Sequence, residues 1–144
     1  MTTDLAGYAA HLERVAQTLP DRLRAALGDS MDDAAAEARR LAAARLQGAP
    51  GSALADIRGE ASADLVGRIY GDTNGTTWLR IQEEGGAVQA TRRPWLFIPQ
   101  DDGSFRLVRQ VTLRGRRFIG DAFEAALPDI RRRLSATLAE EVAL

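Results

Sequence analysis

The stretch Ala34–Leu54, AAAEARRLAAARLQGAPGSAL, decides the fold because the hydrophobic pattern changes within it. Its first part is rich in alanine, the residue with the highest intrinsic helix propensity. The segment Gln47–Ser52 then contains one proline and two glycines, which end a helix. From Ala53 onward apolar residues begin to alternate, with the period of a β-strand. The stretch therefore predicts a long helix followed by a β-rich region.

Two helices are predicted on the N-terminal side of this change. Asp4 is a suitable N-cap for the first helix, which is expected over about residues 4–19. Leu19–Asp21 indicates a break or a kink, because Pro20 at its centre fits the first turn of a new helix. The second helix is expected over about residues 20–46. The first helix has an apolar stripe, formed by Leu5, Tyr8, Leu12, Val15 and Leu19.

The face of the second helix opposite its apolar residues is acidic. A solvated helix face explains this pattern better than a metal-binding cluster does, because helix surfaces commonly carry charge on the side away from the core. The acidic residues are Asp29, Asp32, Asp33 and Glu37.

Strands are expected over about residues 54–113. Ala63–Tyr70 alternates in hydrophobicity, and the following Gly71–Gly75 contains Asn-Gly, a strong hairpin signal. Thr76–Gln82 fits either a strand or a short helix. Glu83–Gly86 is typical of a loop or a bulge.

A β-hairpin is predicted around Pro99–Gly103, where Asp-Gly tolerates positive φ. Its first strand lies within Val88–Ile98, a segment interrupted by Arg92–Pro94. Its second strand is Phe105–Leu113, which alternates in hydrophobicity. The expected core residues of this second strand are Phe105, Leu107, Val111 and Leu113.

The C-terminal segment predicts a helix over about residues 120–142. Asp121 as N-cap with Glu124 three residues later matches the capping box. Pro128 is expected to kink or restart this helix. The order of helices, strands and a final helix predicts one α+β domain over residues 1–144. In that domain the long N-terminal helices and the C-terminal helix pack on a small antiparallel sheet.

The composition excludes several classes of site. The 144 residues include no cysteine, so disulfides, thiolate catalysis and cysteine-bound zinc are excluded. His11 is the one histidine, and a helix histidine is a more common role for it than a metal ligand. Met1–Tyr8 lacks the basic and apolar regions of a signal peptide, and no apolar run is long enough to span a bilayer. No metal, cofactor or membrane partner is expected.

Catalytic patterns are missing as well. The serines lack the Gly-x-Ser-x-Gly context of a nucleophile elbow, and Gly85–Gly86 lacks the spacing of a phosphate-binding loop. Glu83 and Glu84 are adjacent, so on a strand they would point to opposite faces. The sequence therefore favours a non-enzymatic protein.

Charge is distributed unevenly along the chain although the net charge is only −1. Residues 80–120 carry eight arginines and four acidic residues, whereas residues 1–79 carry eight and eleven and residues 121–144 carry three and five. A basic centre between acidic ends suits head-to-tail contact between copies of the chain. The Arg114–Arg117 run fits phosphate contacts, a solvated loop or inter-subunit ion pairs.

The Val88–Leu113 region is expected to form a hairpin that extends toward a neighbouring subunit or another protein, because a small domain would leave its aromatic residues partly uncovered. The candidate interface consists of Arg92, Arg93, Trp95, Phe97, Arg106, Arg109, Arg114, Arg116 and Arg117.

The order of short motifs over about residues 15–140 resembles the lambda Z-like tail-completion family of long-tailed bacteriophages, which acts in the neck at head–tail joining. The matching elements are Leu19–Pro20, the alanine-rich helix with Ala49–Leu54 after it, Glu83–Gly86, Leu96–Pro99, Arg116–Ile119 and Ala126–Leu127. Two features depart from the family pattern. Gly51–Leu54 stands where a Thr-Gly-x-Leu is usual, and the aromatic residue beside the acidic-glycine turn is absent.

The resemblance implies a minor tail protein of the virion, made in the bacterial host cytoplasm and assembled as a ring, with a hexamer expected. Its implied partners are further copies, the stopper or connector, the tail terminator and the tail tube. DNA would pass through the lumen without specific binding. A tail terminator or the neck protein of a gene-transfer particle are alternatives within this class. A small nucleic-acid-binding regulatory module is the alternative of another class.

Overall fold

The computed structural model describes residues 4–46, 51–71 and 77–143. Within these ranges the chain forms four helices and six strands. The helices are α1 Leu5–Arg45, α2 Gly51–Ala55, α3 Thr77–Glu84 and α4 Phe118–Val142. The strands are β1 Ile57–Ala61, β2 Gly67–Gly71, β3 Gly85–Gln89, β4 Leu96–Pro99, β5 Phe105–Val108 and β6 Gln110–Arg114.

The contacts group the chain into two compact units. The helical unit comprises Met1–Asp72 and Phe118–Leu144, and the hairpin unit comprises Thr73–Arg117. The expected α+β class is confirmed, with a long N-terminal helix and a C-terminal helix beside antiparallel strands. The described strands form three two-stranded sheets, β1–β2, β3–β6 and β4–β5, where the sequence predicted one small sheet. The single domain expected from the sequence stays a prediction.

The predicted break at Pro20 is wrong, because α1 continues through it. Contacts with α4 lie on both sides of the proline. Thr18 Oγ1 donates to Glu141 Oε2 at 2.9 Å, and Arg22 Nη1 lies 2.5 Å from Glu141 Oε1. One carboxylate of α4 therefore contacts α1 before and after the proline. Asp4 caps α1 as predicted, accepting a hydrogen bond from the Gly7 backbone N–H at 2.6 Å.

The C-terminal helix also differs from its prediction at two points. It begins at Phe118, so Asp121 lies inside the first turn and is not the N-cap. There its carboxylate is favourable near the positive end of the helix dipole and forms an ion pair with Arg45 at 2.6 Å. Pro128 does not restart the helix, which runs unbroken to Val142.

The core of the helical unit lies where the antiparallel pair α1–α4 meets the β1–β2 hairpin. Leu27, Met31 and Ile130 form a buried cluster, and partly buried apolar residues surround it. Small residues extend the buried face of α1 toward its C-terminus. They are Ala34, Ala35, Ala38 and Ala42.

Two glycines let the β1–β2 hairpin approach α1 closely. A Cβ on Gly59 would lie 2.2 Å from the Met31 carbonyl oxygen, and one on Gly67 would lie 2.7 Å from the Met31 sulfur. Arg39 completes the junction, since its guanidinium donates to the Ile57 carbonyl at 2.7 Å. The sequence pattern indicated the strand at Gly67 but not these contacts.

In the hairpin unit the undecided segment Thr76–Gln82 is helical from Thr77, the first of its residues that the structure describes. The predicted hairpin around Pro99–Gly103 is confirmed, with β4 and β5 antiparallel. The predicted single strand Phe105–Leu113 is divided at Arg109, because β5 pairs with β4 whereas β6 pairs with β3. The turn predicted at Gly71–Gly75 lies outside the described residues after its first glycine.

Candidate functional site

The hairpin unit consists of α3 and a β-hairpin that has two parts. Its base is the β3–β6 ladder, extended by a hydrogen bond from the Ala90 N–H to the Arg109 carbonyl at 3.0 Å. Its tip is the β4–β5 ladder, which begins at the pair Leu96 and Val108. Residues 90–95 therefore lie opposite the single residue Arg109. This extra segment carries three of the predicted interface residues, Arg92, Arg93 and Trp95.

Residues that follow the base of the hairpin cap the C-terminal end of α3. Backbone N–H groups of Arg116 and Arg117 donate to the carbonyls of Gln82 and Glu83, at 2.8 and 3.1 Å. The last carbonyls of a helix lack partners within the helix, so these bonds satisfy them. They also place a basic segment at the negative end of the helix dipole, where cations are favourable.

This arrangement corrects the loop or bulge predicted for Glu83–Gly86. Glu83 and Glu84 end α3, and β3 begins at Gly85. Gly85 adopts φ +80°, the left-handed conformation common directly after a helix. A Cβ on Gly115 would lie 2.7 Å from the Glu84 carbonyl carbon, so the return strand passes very close to the end of the helix.

All nine predicted interface residues belong to the hairpin unit and are exposed. Among the described residues, the side chains of Arg92, Arg93, Arg106 and Arg114 form no ion pair. The Arg109 guanidinium lies over the Trp95 ring, 5.0 Å from its centroid, in a cation–π contact. This contact brings together two of the predicted residues. It places the Trp95 side chain beside Arg109, the residue that separates β5 from β6.

The tip of the hairpin carries an apolar face that the sequence predicted only in part. Phe97 and Leu107 are cross-strand partners and are 55% and 51% exposed, and Phe105 is 66% exposed. The prediction that Phe105 and Leu107 belong to the core is therefore wrong. Their alternation correctly predicted a strand, but a two-stranded ladder covers neither of its own faces, so a face is buried only where another element packs on it. We call Phe97, Phe105 and Leu107 the tip face.

Formal charge separates the two units. The helical unit carries eleven arginines and sixteen acidic residues, a charge of −5, whereas the hairpin unit carries eight arginines and four acidic residues, a charge of +4. The asymmetry expected from the sequence therefore coincides with the structural division of the chain.

An open groove of about 630 Å³ runs along the helical unit between α1 and α4. Its lining is rich in alanine, and carboxylates stand along it. Asp33 is paired with Arg133 at 2.8 Å, and Asp129 with Arg132 at 2.5 Å. We call this feature the alanine groove, lined by Ser30, Asp33, Ala34, Glu37, Ala122, Ala125, Ala126, Asp129, Ile130, Arg132, Arg133 and Ala136.

A second apolar surface lies at the N-terminal end of α1. Leu5, Tyr8 and Leu12 are 88%, 45% and 47% exposed, so this part of the predicted stripe is not buried. His11 Nε2 lies 3.4 Å from the Val142 carbonyl oxygen, which places the exposed Val142 in the same region.

The described side chains form no candidate metal centre. Residues 4–46, 51–71 and 77–143 contain no group of three or more potential metal-ligating residues of the His, Cys, Asp and Glu types. On the acidic face of α1, Asp29, Asp32 and Asp33 are exposed. No helix in the described ranges has the length and apolar character required to cross a bilayer.

Two exposed carboxyl groups have lowered pKa values with local causes. A hydrogen bond from Arg40 lowers the pKa of Glu37. Hydrogen bonds from the hydroxyl and the backbone N–H of Ser104 lower the pKa of Asp102. Each partner is a near neighbour in sequence, so both shifts reflect local turn or helix geometry.

Comparisons of the chain with protein-family models, with curated proteins and with solved structures found no match.

Proposed function

We propose that the chain is a structural, non-enzymatic subunit of the phage neck that assembles as a ring during tail completion and head–tail joining. The observation that carries the proposal is the exposed, basic and partly apolar surface of the hairpin unit, on a chain whose other unit is acidic. Opposite charges on different surfaces of one subunit favour heterologous contacts, and such contacts close into rings when the rotation allows.

The motif order is the second support. It resembles that of tail-completion proteins, whose role needs self-assembly and docking but no catalytic residue. A hexamer at the head-proximal end of the tail is proposed, with the stopper or connector, the tail terminator and the tail tube as neighbours. The tail terminator and the neck of a gene-transfer particle are the alternatives within the same structural class.

Particles from a phage that lacks this gene provide the direct test. We expect packaged heads and polymerised tails that fail to join, seen by electron microscopy, and a loss of infectious particles. The protein should also be present in purified wild-type virions by mass spectrometry. Infectious, fully joined particles from the deletion would refute the proposed function.

A nucleic-acid-binding regulatory module is the second candidate. It is favoured by Arg92, Arg93, Arg106 and Arg114 of the hairpin unit, which are exposed and form no ion pair with the described residues, since cationic side chains supply most non-specific affinity for nucleic acid. Binding of the purified chain to duplex DNA, measured across salt concentrations, separates the two candidates. A regulatory module would bind with a steep salt dependence and would be absent from purified virions.

A further inference from the structure

We propose that the tip face of one copy docks in the alanine groove of a second copy. This inference rests on the proposed self-assembling function and specifies which surfaces meet. It commits to a second copy as the occupant because both complementary surfaces belong to the same chain.

The tip face has the properties of an interface centre. Phe97 and Leu107 stand opposite each other on neighbouring strands, and Phe105 lies two residues from Leu107, on the same face of β5. All three are at least half exposed. Aromatic side chains in such positions are typical of residues that dominate binding energy.

The alanine groove offers a surface of the complementary shape. Ala125, Ala126 and Ala136 of α4 are small and at least partly exposed, so the space above them is open. Residues 122 to 136 extend along the helix for about 21 Å. Phe105 and Leu107 lie only about 7 Å apart along a strand, so the groove can hold the whole tip face.

Charge selects this pairing over contact between like surfaces. Asp29 and Asp32 lie on α1 near the groove residues Ser30 and Asp33, and neither carboxylate has a partner among the described residues. Contact between two hairpin units, each of formal charge +4, would bring like charges together, whereas contact with a unit of charge −5 would not.

The contact is heterologous, since the two surfaces differ. Each copy would use its hairpin for one neighbour and its groove for the other. Such contacts form a closed ring or an open chain of subunits and not a two-fold dimer.

Association of the full-length chain tests this inference. Mass measurement and analytical ultracentrifugation would follow Phe105→Asp on the tip face and Ala125→Arg in the groove. Each should weaken association by at least about tenfold, as expected for the centre of an interface. Thr112→Asp and Ala139→Arg introduce the same charges at exposed positions outside both surfaces, so they should leave association unchanged.

A mixture of the two defective variants gives the decisive result. The intact hairpin of Ala125→Arg can dock in the intact groove of Phe105→Asp, so the mixture should form a heterodimer and nothing larger. Circular dichroism of each variant would verify that it is folded before mixing.

Three outcomes would overturn the inference: a wild-type chain that stays monomeric, folded single variants that still associate normally, or a mixture without heterodimer. Dissociation by Leu12→Glu but not by Phe105→Asp would assign the interface to the end of α1 instead. The proposed function is judged separately by the presence of the protein in virions. The proposed function is supported if virions contain the protein, even when Phe105→Asp leaves association unchanged. It is refuted if virions lack the protein, even when Phe105→Asp and Ala125→Arg weaken association as expected.

Discussion

The helical unit and the hairpin unit differ in where their apolar side chains lie. Nearly all described residues that are fully buried belong to the helical unit, and Leu79 is the exception in the hairpin unit. Phe118 is completely buried in the first, whereas Phe105 is 66% exposed in the second. The comparison teaches that one part of the chain buries its apolar residues in a core, whereas the other leaves them exposed, as the proposed self-association requires.

The largest expected effect tests whether the buried and the exposed phenylalanines differ in their contribution to stability, by truncating one in each unit. We expect Phe118→Ala to lower the free energy of unfolding by about 3–5 kcal/mol, because the truncation leaves a cavity. Phe105→Ala should change it by less than about 0.5 kcal/mol, as for an exposed side chain. Denaturant unfolding followed by helical circular dichroism, at concentrations where the signal is independent of dilution, measures both. Equal losses would show that the units do not divide stability and contact in this way.

Two glycine substitutions test how tightly the helical unit is packed where β1 lies against α1. Gly59→Ala should lower the free energy of unfolding by about 1–3 kcal/mol, because the added Cβ would lie 2.2 Å from the Met31 carbonyl oxygen. Gly28→Ala is the control, since its Cβ would meet only the Ala61 Cβ, at 4.0 Å. That variant should gain about 0.5–1 kcal/mol from higher helix propensity. The same unfolding experiment applies, and a stable Gly59→Ala would contradict the close approach of β1 to α1.

One arginine in each unit provides a third comparison of the two units, again through the free energy of unfolding. Arg39→Met should lower the free energy of unfolding by about 1–2 kcal/mol, because it removes the charged donor from the Ile57 carbonyl of β1. Arg92→Met removes an exposed arginine that forms no ion pair with any described residue, and we expect a change below about 0.5 kcal/mol. Thermal unfolding of the two variants in the same buffer tests the difference. A larger effect at Arg92 would mean that the hairpin arginines contribute to the stability of the chain itself.

The smallest expected effect concerns two exposed carboxyl groups, one in each unit. Ser104→Ala should raise the pKa of Asp102 toward its ordinary value by removing the hydroxyl donor, and the backbone N–H should retain part of the shift. Arg40→Met should raise the pKa of Glu37 in the same direction. Both groups have lowered pKa values in the folded chain, so each favours folding above its unfolded pKa. That contribution is lost as the pH falls through the folded value.

Carboxyl-carbon NMR titration measures both pKa values, and added salt separates their causes. Salt should raise the pKa of Glu37, since its partner is a cation, more than that of Asp102, whose partner is a neutral serine. An unchanged Asp102 titration in Ser104→Ala would contradict the turn geometry.

Local chemistry made a large part of the fold predictable. Asp4 caps α1 because a short side-chain oxygen satisfies an orphan backbone N–H, a contact within four residues. The turn at Pro99–Gly103 follows from the conformational freedom of Gly103, which adopts φ +82°. The exposure of the nine candidate residues in the hairpin unit was expected from the same kind of reasoning, and their role in an interface stays a prediction.

The errors arose where distant parts of the chain meet. Pro20 and Pro128 are sequence signals for a helix end, yet α1 and α4 continue through them and contact each other on both sides of each proline. Asp121 matched a capping pattern, but its helix begins three residues earlier and its carboxylate reaches Arg45.

The sequence by itself determined the change from helix to strand, the alternation of the strands and the basic centre, because each depends on neighbours along the chain. The strands begin at Ile57 and not at Ala53, since Gly51–Ala55 is helical. Only the tertiary structure decided that Phe105 and Leu107 face outward together, that Gly59 lets a strand lie against Met31, and that alanines line an open groove. The physical reason is that alternation shows that a strand has two faces, whereas the packing of other elements decides which face is covered.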